Sequence, residues 1–454
     1  MIRGQYDIGL GLFIALCLFL GGSSGGGLIG NLILQLLAVC LIVGAALAKP
    51  GSRTVKPQPL LHIALAFMAL VALIQFVPLP STLWPHLPGR AFLAEGYDLL
   101  GINRPWLTLS LAPFNSLASL AWLLPALATG FLASRLLDLK SERIAIAICL
   151  VAVVSIPLAA VQFIGGQASG WYLYPFSYGQ GAGFFSNGNH QGTFLLIAIP
   201  MMAALSAHFT NRPGPSQTSL RLFFSLLLLV LVAGVIMTGS MAAMGLLLVV
   251  LPASYLIMTP RVELPGQWVL LAGGLAGLAL VLGITYAVGE QVGSGLAEEG
   301  PMSRPAIAMT TLAAAWTYFP FGSGIGTFED VYRMFEDPGQ VTTTFINHAH
   351  NDYLEILLET GLGGLIAMVL FLLWWTRRSL QLWTGERKHY FALAASLSVG
   401  VVLAHSVVDY PLRTASVSVL FALSVALMAR DAGLWSRPRT EHRSNRSKKK
   451  KITL

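Results

Sequence analysis

Charge is what this sequence has least of. Asp, Glu, Lys and Arg make up 11% of its 454 residues, against the ~25% usual in a soluble domain, while 55% are hydrophobic and the mean hydropathy is +0.70. That balance excludes an ordinary water-soluble fold. Cysteine is nearly as scarce. Cys17, Cys40 and Cys149 all fall within apolar runs, which suggests neither a disulfide framework nor a metal centre and leaves them as packing residues. A small-residue cleavage signal is also missing. Gly21 to Gly27 leads directly into a second apolar run, so Ile8 to Leu20 behind Arg3 reads as a retained first span rather than a cleaved signal peptide. There is no internal repeat of the kind many secondary transporters carry.

What is abundant is apolar sequence in runs near the ~20 residues that cross a bilayer. Spans are expected near 7–22, 27–48, 58–78, 116–136, 144–165, 190–209, 219–238, 240–258, 267–288, 353–376, 389–408 and 412–431. The fold class is therefore an all-α polytopic membrane protein with about 12 transmembrane helices. With a cytoplasmic N-terminus, 23 of the 28 Lys and Arg residues fall on inside segments and 5 outside, namely Arg90, Arg104, Arg304, Arg333 and Arg413. The positive-inside rule then puts both termini in the cytoplasm. Net charge +8 is in this reading an address on the cytoplasmic leaflet. The tail from Arg437 to Lys451 is polar and of low complexity, without interleaved aromatics, so its expected partner is anionic lipid and no nucleic acid.

Three outside segments are long: 79–115, 166–189 and 289–352. The last holds eight acidic residues, two arginines and the run Gly322-Ser323-Gly324-Ile325-Gly326, enough to form a small lid with short helices. The densest set of functional groups lies where it enters the next span: Asn347, His348, His350, Asn351, Asp352, Tyr353 and Glu355. Asn351 or Asp352 suits a helix N-cap, and Glu355 suits the first turn. Two histidines exceed what capping needs, and imidazole is the side chain best matched to general-base work near neutral pH. Glu355 and Glu359 share one helical face, where they orient His350, bind substrate, or simply pack or cap. His348, His350 and Asp352 also spell an H-x-H metal set on paper; neighbours two apart on an extended strand point to opposite sides, which disfavours it. Trp171, Tyr172, Tyr174, Phe184 and Phe185 read as an interfacial aromatic belt or, alternatively, a substrate platform with Asn187, Asn189, His190 and Gln191 as polar partners.

His350-Asn351, nine residues, then Gly361-Leu362-Gly363-Gly364 resembles the signature of bacterial O-antigen ligases. Gly183 to His190, Thr238-Gly239-Ser240, Arg304, Gly322 to Phe328 and His405 to Arg413 are similar to segments of the wider O-antigen ligase/polymerase superfamily. The resemblance divides the chain into N-terminal transmembrane helices at 1–182, a ligase/polymerase-like core at 183–431 including the loop 289–352, and a basic cytoplasmic tail at 432–454. It implies a GT-C-like, metal-independent glycosyltransferase of lipopolysaccharide or exopolysaccharide biosynthesis, with no cofactor. The implied partners are a polyisoprenyl (undecaprenyl) pyrophosphate-linked glycan donor, a saccharide acceptor and membrane lipids. In it His350 is the catalytic base and Arg304 holds the pyrophosphate, supported by His348, Asn351, Glu355, Asn189, His190 and Arg413.

At one position the sequence departs from the family. Thr238-Gly239-Ser240 is followed by Met241 where relatives commonly carry an arginine for the same pyrophosphate, and Arg333, Arg413 or His190 are the candidates to replace that cation. The departure favours a polysaccharide polymerase over a ligase that joins glycan to lipid A-core. A transporter of lipid-linked glycan is the reading from another class; the near absence of charge within the spans disfavours it.

Overall fold

The computed structural model describes residues 3–47, 58–136, 139–174, 181–210, 217–259, 303–340, 345–386 and 388–430. Among these residues the chain forms fifteen α-helices and one two-stranded ladder. The helices are α1 (Arg3–Leu20), α2 (Ile29–Leu47), α3 (Pro59–Ile74), α4 (Ala91–Leu99), α5 (Pro113–Trp122), α6 (Leu124–Arg135), α7 (Ser141–Gly165), α8 (Gly188–Thr210), α9 (Gln217–Met237), α10 (Met241–Met258), α11 (Arg304–Tyr318), α12 (Phe328–Phe335), α13 (Asp352–Thr384), α14 (Tyr390–His405) and α15 (Ala415–Ala429). The ladder pairs β1 (Pro78–Leu79) antiparallel with β2 (Leu107–Thr108).

Among the described residues six helices are long and apolar enough to cross a membrane: α2, α7, α8, α9, α10 and α13. A seventh span results if α5 and α6, bent by 41°, count as one, and Ile8–Leu20, α3, α14 and α15 are shorter apolar helices. The expected total of about twelve is not established by this count, and the expected span at 267–288 lies outside the described residues. So does the tail at 432–454.

Helix α8 is the axis of the bundle. Its side chains from His190 to Ala207 are buried on every side, the pattern of a helix enclosed by others rather than by lipid. Small residues let its neighbours approach: a Cβ on Gly192 would stand 2.7 Å from that of Ala243 on α10. Outer helices keep the opposite character, with α3 presenting Ile63, Met68, Leu70 and Leu73 outward. The N-terminal helices are built into this bundle, since Ser416 of α15 donates to the carbonyl of Cys17 at 2.8 Å and Arg430 to that of Leu136 at 2.8 Å.

The two ends of the bundle differ chemically. At one end cations cap helix carbonyls: Arg135 reaches Ala45 O at 2.8 Å, Arg378 reaches Met428 O at 2.6 Å, and Lys388 reaches Trp383 O at 2.7 Å. The other end gathers the N-termini of α8, α11, α13 and α15 with the C-terminus of α14. There α11 and α12 form a small lobe with its own core of Ile307, Ala314, Tyr318, Phe328, Val331 and Tyr332, matching the short helices expected after Arg304.

Candidate active site

The site grows from an interruption in α13. Gly361 has φ +58° and ψ −139° inside the helix, and any Cβ there would collide with the Pro320 carbonyl at 2.1 Å. The kink turns the Leu362 N–H toward Pro320 O at 2.9 Å and frees the carbonyls of Leu358 and Glu359, which accept from Ser323 N and Gly324 N at 2.9 Å each. The glycine run from 322 to 326 can lie this close because Gly322, Gly324 and Gly326 all have positive φ. Thus the motif glycine and the glycine run, far apart in sequence, are two halves of one crossing.

At the start of α13, Asn351 is the N-cap. Its Oδ1 accepts from Tyr353 N and Leu354 N at 3.0 Å each, while its Nδ2 donates to Val407 O at 2.8 Å. This cap ties the loop before α13 to the turn after α14. It also leaves His350 with φ +51°, a left-handed conformation unusual for a residue with a Cβ.

Asp409, fully buried in that turn, is the point on which two imidazoles and a guanidinium converge. Its Oδ1 lies 3.6 Å from His190 Nε2 and 3.8 Å from His350 Nδ1, and its Oδ2 lies 3.9 Å from an Arg304 Nη. These separations are longer than hydrogen bonds. Correspondingly, both His190 ring nitrogens, His350 Nδ1, His405 Nε2 and Asp409 Oδ2 are buried without a hydrogen-bond partner. Burial would raise the Asp409 pKa, but His190, Arg304 and His405 outweigh it and hold the group far below the usual carboxylate range. Burial, with the charges of Arg304, His348 and His190, pushes His350 down to about 4 against the opposing pull of Asp409. Near neutral pH its imidazole is therefore in the proton-accepting form.

Tyr410 organises the rings. Its centroid is 4.4 Å from that of His348, 4.9 Å from His350 and 5.0 Å from His190.

Four residues after Asp409, Arg413 has the inverse arrangement. Its guanidinium meets Asp352 at 3.5 Å, Glu355 at 3.4 Å and Glu359 at 3.4 Å, all three buried along one face of α13. Each carboxylate has a further partner: Ser406 on Asp352 at 2.7 Å, His348 and Ala349 N on Glu355 at 2.9 and 3.1 Å, and Gly326 N on Glu359 at 2.8 Å. Burial disfavours the arginine's charge, and the three carboxylates more than restore it.

Of the residues singled out from sequence, His350, Arg304, His190 and His348 come together, and Asn351 and Glu355 support them. Asn189 belongs to the turn that starts α8, with its N–H on Asn187 Oδ1 at 2.8 Å. Arg413 is committed to carboxylates, and Arg333 pairs with Glu329 at 2.5 Å over the Phe345 ring. Met241 stands exposed at the start of α10. The aromatic belt is corrected for Tyr174, Phe184 and Phe185, which are core residues, whereas Trp171 is exposed. Asp352 turns to Ser406 and Arg413 rather than to His348 and His350. Among the described residues no group of three or more His, Cys, Asp or Glu side chains has the arrangement of a metal site. Sequence reasoning missed Asp409 and Tyr410 altogether, although both lie in the segment from His405 to Arg413 that it had marked.

No curated protein matches the chain. A family model described as O-antigen ligase matches residues 224–369, a stretch that holds Arg304, the glycine crossing, His348 and His350, while His190, Asp409 and Arg413 lie outside it. The resemblance carried by the histidine motif is thus a match to the O-antigen ligase family over that segment of a multi-pass membrane protein.

Proposed function

We propose that the protein is a membrane glycosyltransferase that moves a glycan from a polyisoprenyl (undecaprenyl) pyrophosphate donor to a sugar hydroxyl on the periplasmic face of the bacterial inner membrane, acting as a surface-polysaccharide polymerase. The family match supports ligase or polymerase chemistry of this general kind. The observation that carries the finer reading is that one buried carboxylate, Asp409, serves both a neutral His350 on one oxygen and a half-exposed Arg304 on the other. A base and an anion-holding cation are thereby kept within one small site.

In this mechanism His350 takes the proton of the acceptor hydroxyl while that oxygen bonds to the anomeric carbon. The bond from that carbon to the pyrophosphate oxygen breaks, and the leaving group departs with its electron pair and full negative charge. Arg304, at the first turn of α11, meets that charge with forked N–H donors. Asp409 orients His350 and favours its protonated form as the proton arrives. Its separation from Nδ1 is typical of a catalytic pair that tightens when substrate binds. A pyrophosphate is a good leaving group, so the reading requires no metal.

The family description itself favours a second reading, a ligase that attaches the glycan to lipid A-core. Met241 in place of the family's arginine favours the polymerase. Removing the protein from its cell decides the class: lipid-linked glycan should accumulate and surface polymer disappear, and an unchanged pool of both would end the proposal. Polymer lost altogether indicates the polymerase, whereas finished polymer stranded on its lipid carrier indicates the ligase. Orientation has its own test. Asp337→Cys, exposed after α12 and placed in a background lacking Cys17, Cys40 and Cys149, should react with a membrane-impermeant maleimide when only the outer membrane is permeabilised. Reaction only after the inner membrane is broken would put the site in the cytoplasm.

A further inference from the structure

Between α4 and β2 lies a surface that the transfer chemistry does not use. Leu99 is 81% exposed, Leu100 72%, Ile102 54% and Trp106 65%, so half of an eight-residue turn is large apolar side chain facing outward. The turn is not loose. Ile102 N donates to Tyr97 O at 3.1 Å, the buried Trp84 donates its indole N–H to Pro105 O at 2.9 Å, and Arg104 pairs with Asp98 at 3.1 Å. That pair cancels two of the three charges between Ala91 and Trp106, leaving Glu95. An aqueous loop this rigid and this apolar would be a large liability.

Its position says what covers it. The outward face of α3 runs through Leu70 and Leu73 to Val77, at the edge of β1. β1 pairs Leu79 with Leu107, so the ladder places Trp106 beside the end of that lipid-facing strip. On the far side α5 opens with Phe114, 85% exposed, and Leu117. Exposed apolar side chains thus flank the turn on both sides, from the apolar helix α3 to the bent pair α5–α6. Trp with leucines beside it and little charge is the composition of an interfacial anchor.

We propose that the turn from Leu99 to Trp106 is a foot seated in the interfacial layer of the lipid bilayer, and that it braces the lobe carrying Arg304. The bracing is direct. Gly89 lies against the Tyr318 ring at the end of α11, closely enough that a Cβ would come within 2.5 Å of it. Buried Arg90 donates to the carbonyls of Thr108 and Leu109. Leu111 N donates to Ser323 O at 2.8 Å, Ser116 to Ile325 O at 2.7 Å, and Asn115 to Asp330 at 2.8 Å. Lipid contact at the foot is thus passed through hydrogen bonds to the glycine crossing and to α12.

The test uses full-length protein with Leu100→Cys as its one cysteine, labelled with an environment-sensitive fluorophore, in phosphatidylethanolamine/phosphatidylglycerol vesicles. Spin-labelled lipids should quench the probe several-fold more when the label is shallow than when it is deep, and aqueous iodide should quench it weakly. Strong iodide quenching without lipid quenching would place the turn in water. Protection from both quenchers, with Cys–Cys crosslinking between two chains, would make the surface a contact between copies; either result overturns the proposal. A probe at Ile102→Cys provides a second reading, in which adding Leu99→Asp and Leu100→Asp should move quenching from lipid to iodide. These exposed side chains contribute nothing to the core, so an unmoved probe counts against the foot. Neither readout depends on glycan transfer.

Discussion

Asp409 and Arg413 are four residues apart in one turn, and their surroundings are near opposites. Arg413 is one cation among three carboxylates, each of which also holds a hydroxyl, an imidazole or a backbone N–H. Asp409 is one anion among His190, His350 and Arg304, none closer than 3.6 Å. A saturated polar network fixes structure, because every partner would be costly to strand. An unsaturated one keeps buried donors and acceptors free to bond a substrate, and carries that cost in the folded protein. On that difference the proposed mechanism rests stability on the Arg413 cluster and chemistry on the Asp409 cluster.

The largest effect should come from breaking the saturated side. Arg413→Met leaves Asp352, Glu355 and Glu359 buried together without their cation, a change that typically costs about 3–5 kcal/mol. Thermal unfolding in detergent should show a severely destabilised or unrecoverable protein. A variant that melts like the wild type but no longer binds lipid pyrophosphate would mean that Arg413 serves the donor after all, and the contrast between the clusters would fail.

On the unsaturated side the loss should fall on turnover instead. His350→Ala removes the base and a ring that makes no hydrogen bond through its buried Nδ1. Transfer should fall ~10²-fold or more while the melting transition barely moves. Retention of more than a few per cent of activity by a well-folded variant would remove His350 from the role. Arg304→Lys should have the next largest effect, roughly 10- to 100-fold, because an ammonium cannot reproduce the forked guanidinium contacts. Purified enzyme should keep its full rate in chelator, and dependence on added Mg²⁺ or Zn²⁺ would return His348 and His350 to the metal reading.

Much of this was legible in the sequence, for identifiable reasons. Apolar runs of bilayer length marked the helices, local chemistry pointed to a cap at Asn351 or Asp352, and His350 was singled out by the resemblance its motif carries. Gly361 was visible as a motif position, but its physical reason was not: the kink exists because Pro320 approaches from a segment with no sequence proximity. Asp409 and Tyr410 were hidden for the same cause. Their partners His190 and His350 reach them only after α8, α13 and α14 have packed, and no periodicity records that. Arg413 is the instructive intermediate. Asp352, Glu355 and Glu359 repeat at i, i+3 and i+7 along one face of α13, and a buried acidic stripe of that kind requires a cation. Reading the stripe as a whole would have assigned Arg413 to it, rather than to pyrophosphate.

The smallest predicted effect tests the comparison most directly, because it alters charge at Asp409 with little change in shape. The carboxylate stabilises protonated His350, opposing burial and the neighbouring cations that together hold the imidazole at about 4. Asp409→Asn removes that support, so the pKa of His350 must fall further. The acid limb of the rate profile, which reports protonation of the free base, should move to lower pH by about one unit, equivalent to roughly 1.4 kcal/mol. The plateau rate should drop as well, since a less basic imidazole takes the acceptor proton less readily. Arg304→Gln should shift the same limb the other way, because a cation that depresses His350 is lost. Glu355→Gln, on the saturated side, should leave the limb within a few tenths of a unit, as its carboxylate is shared with Arg413 and His348 and does not face His350. Equal shifts in Asp409→Asn and Glu355→Gln would show one coupled network, and the division of labour between the two clusters would have to be abandoned.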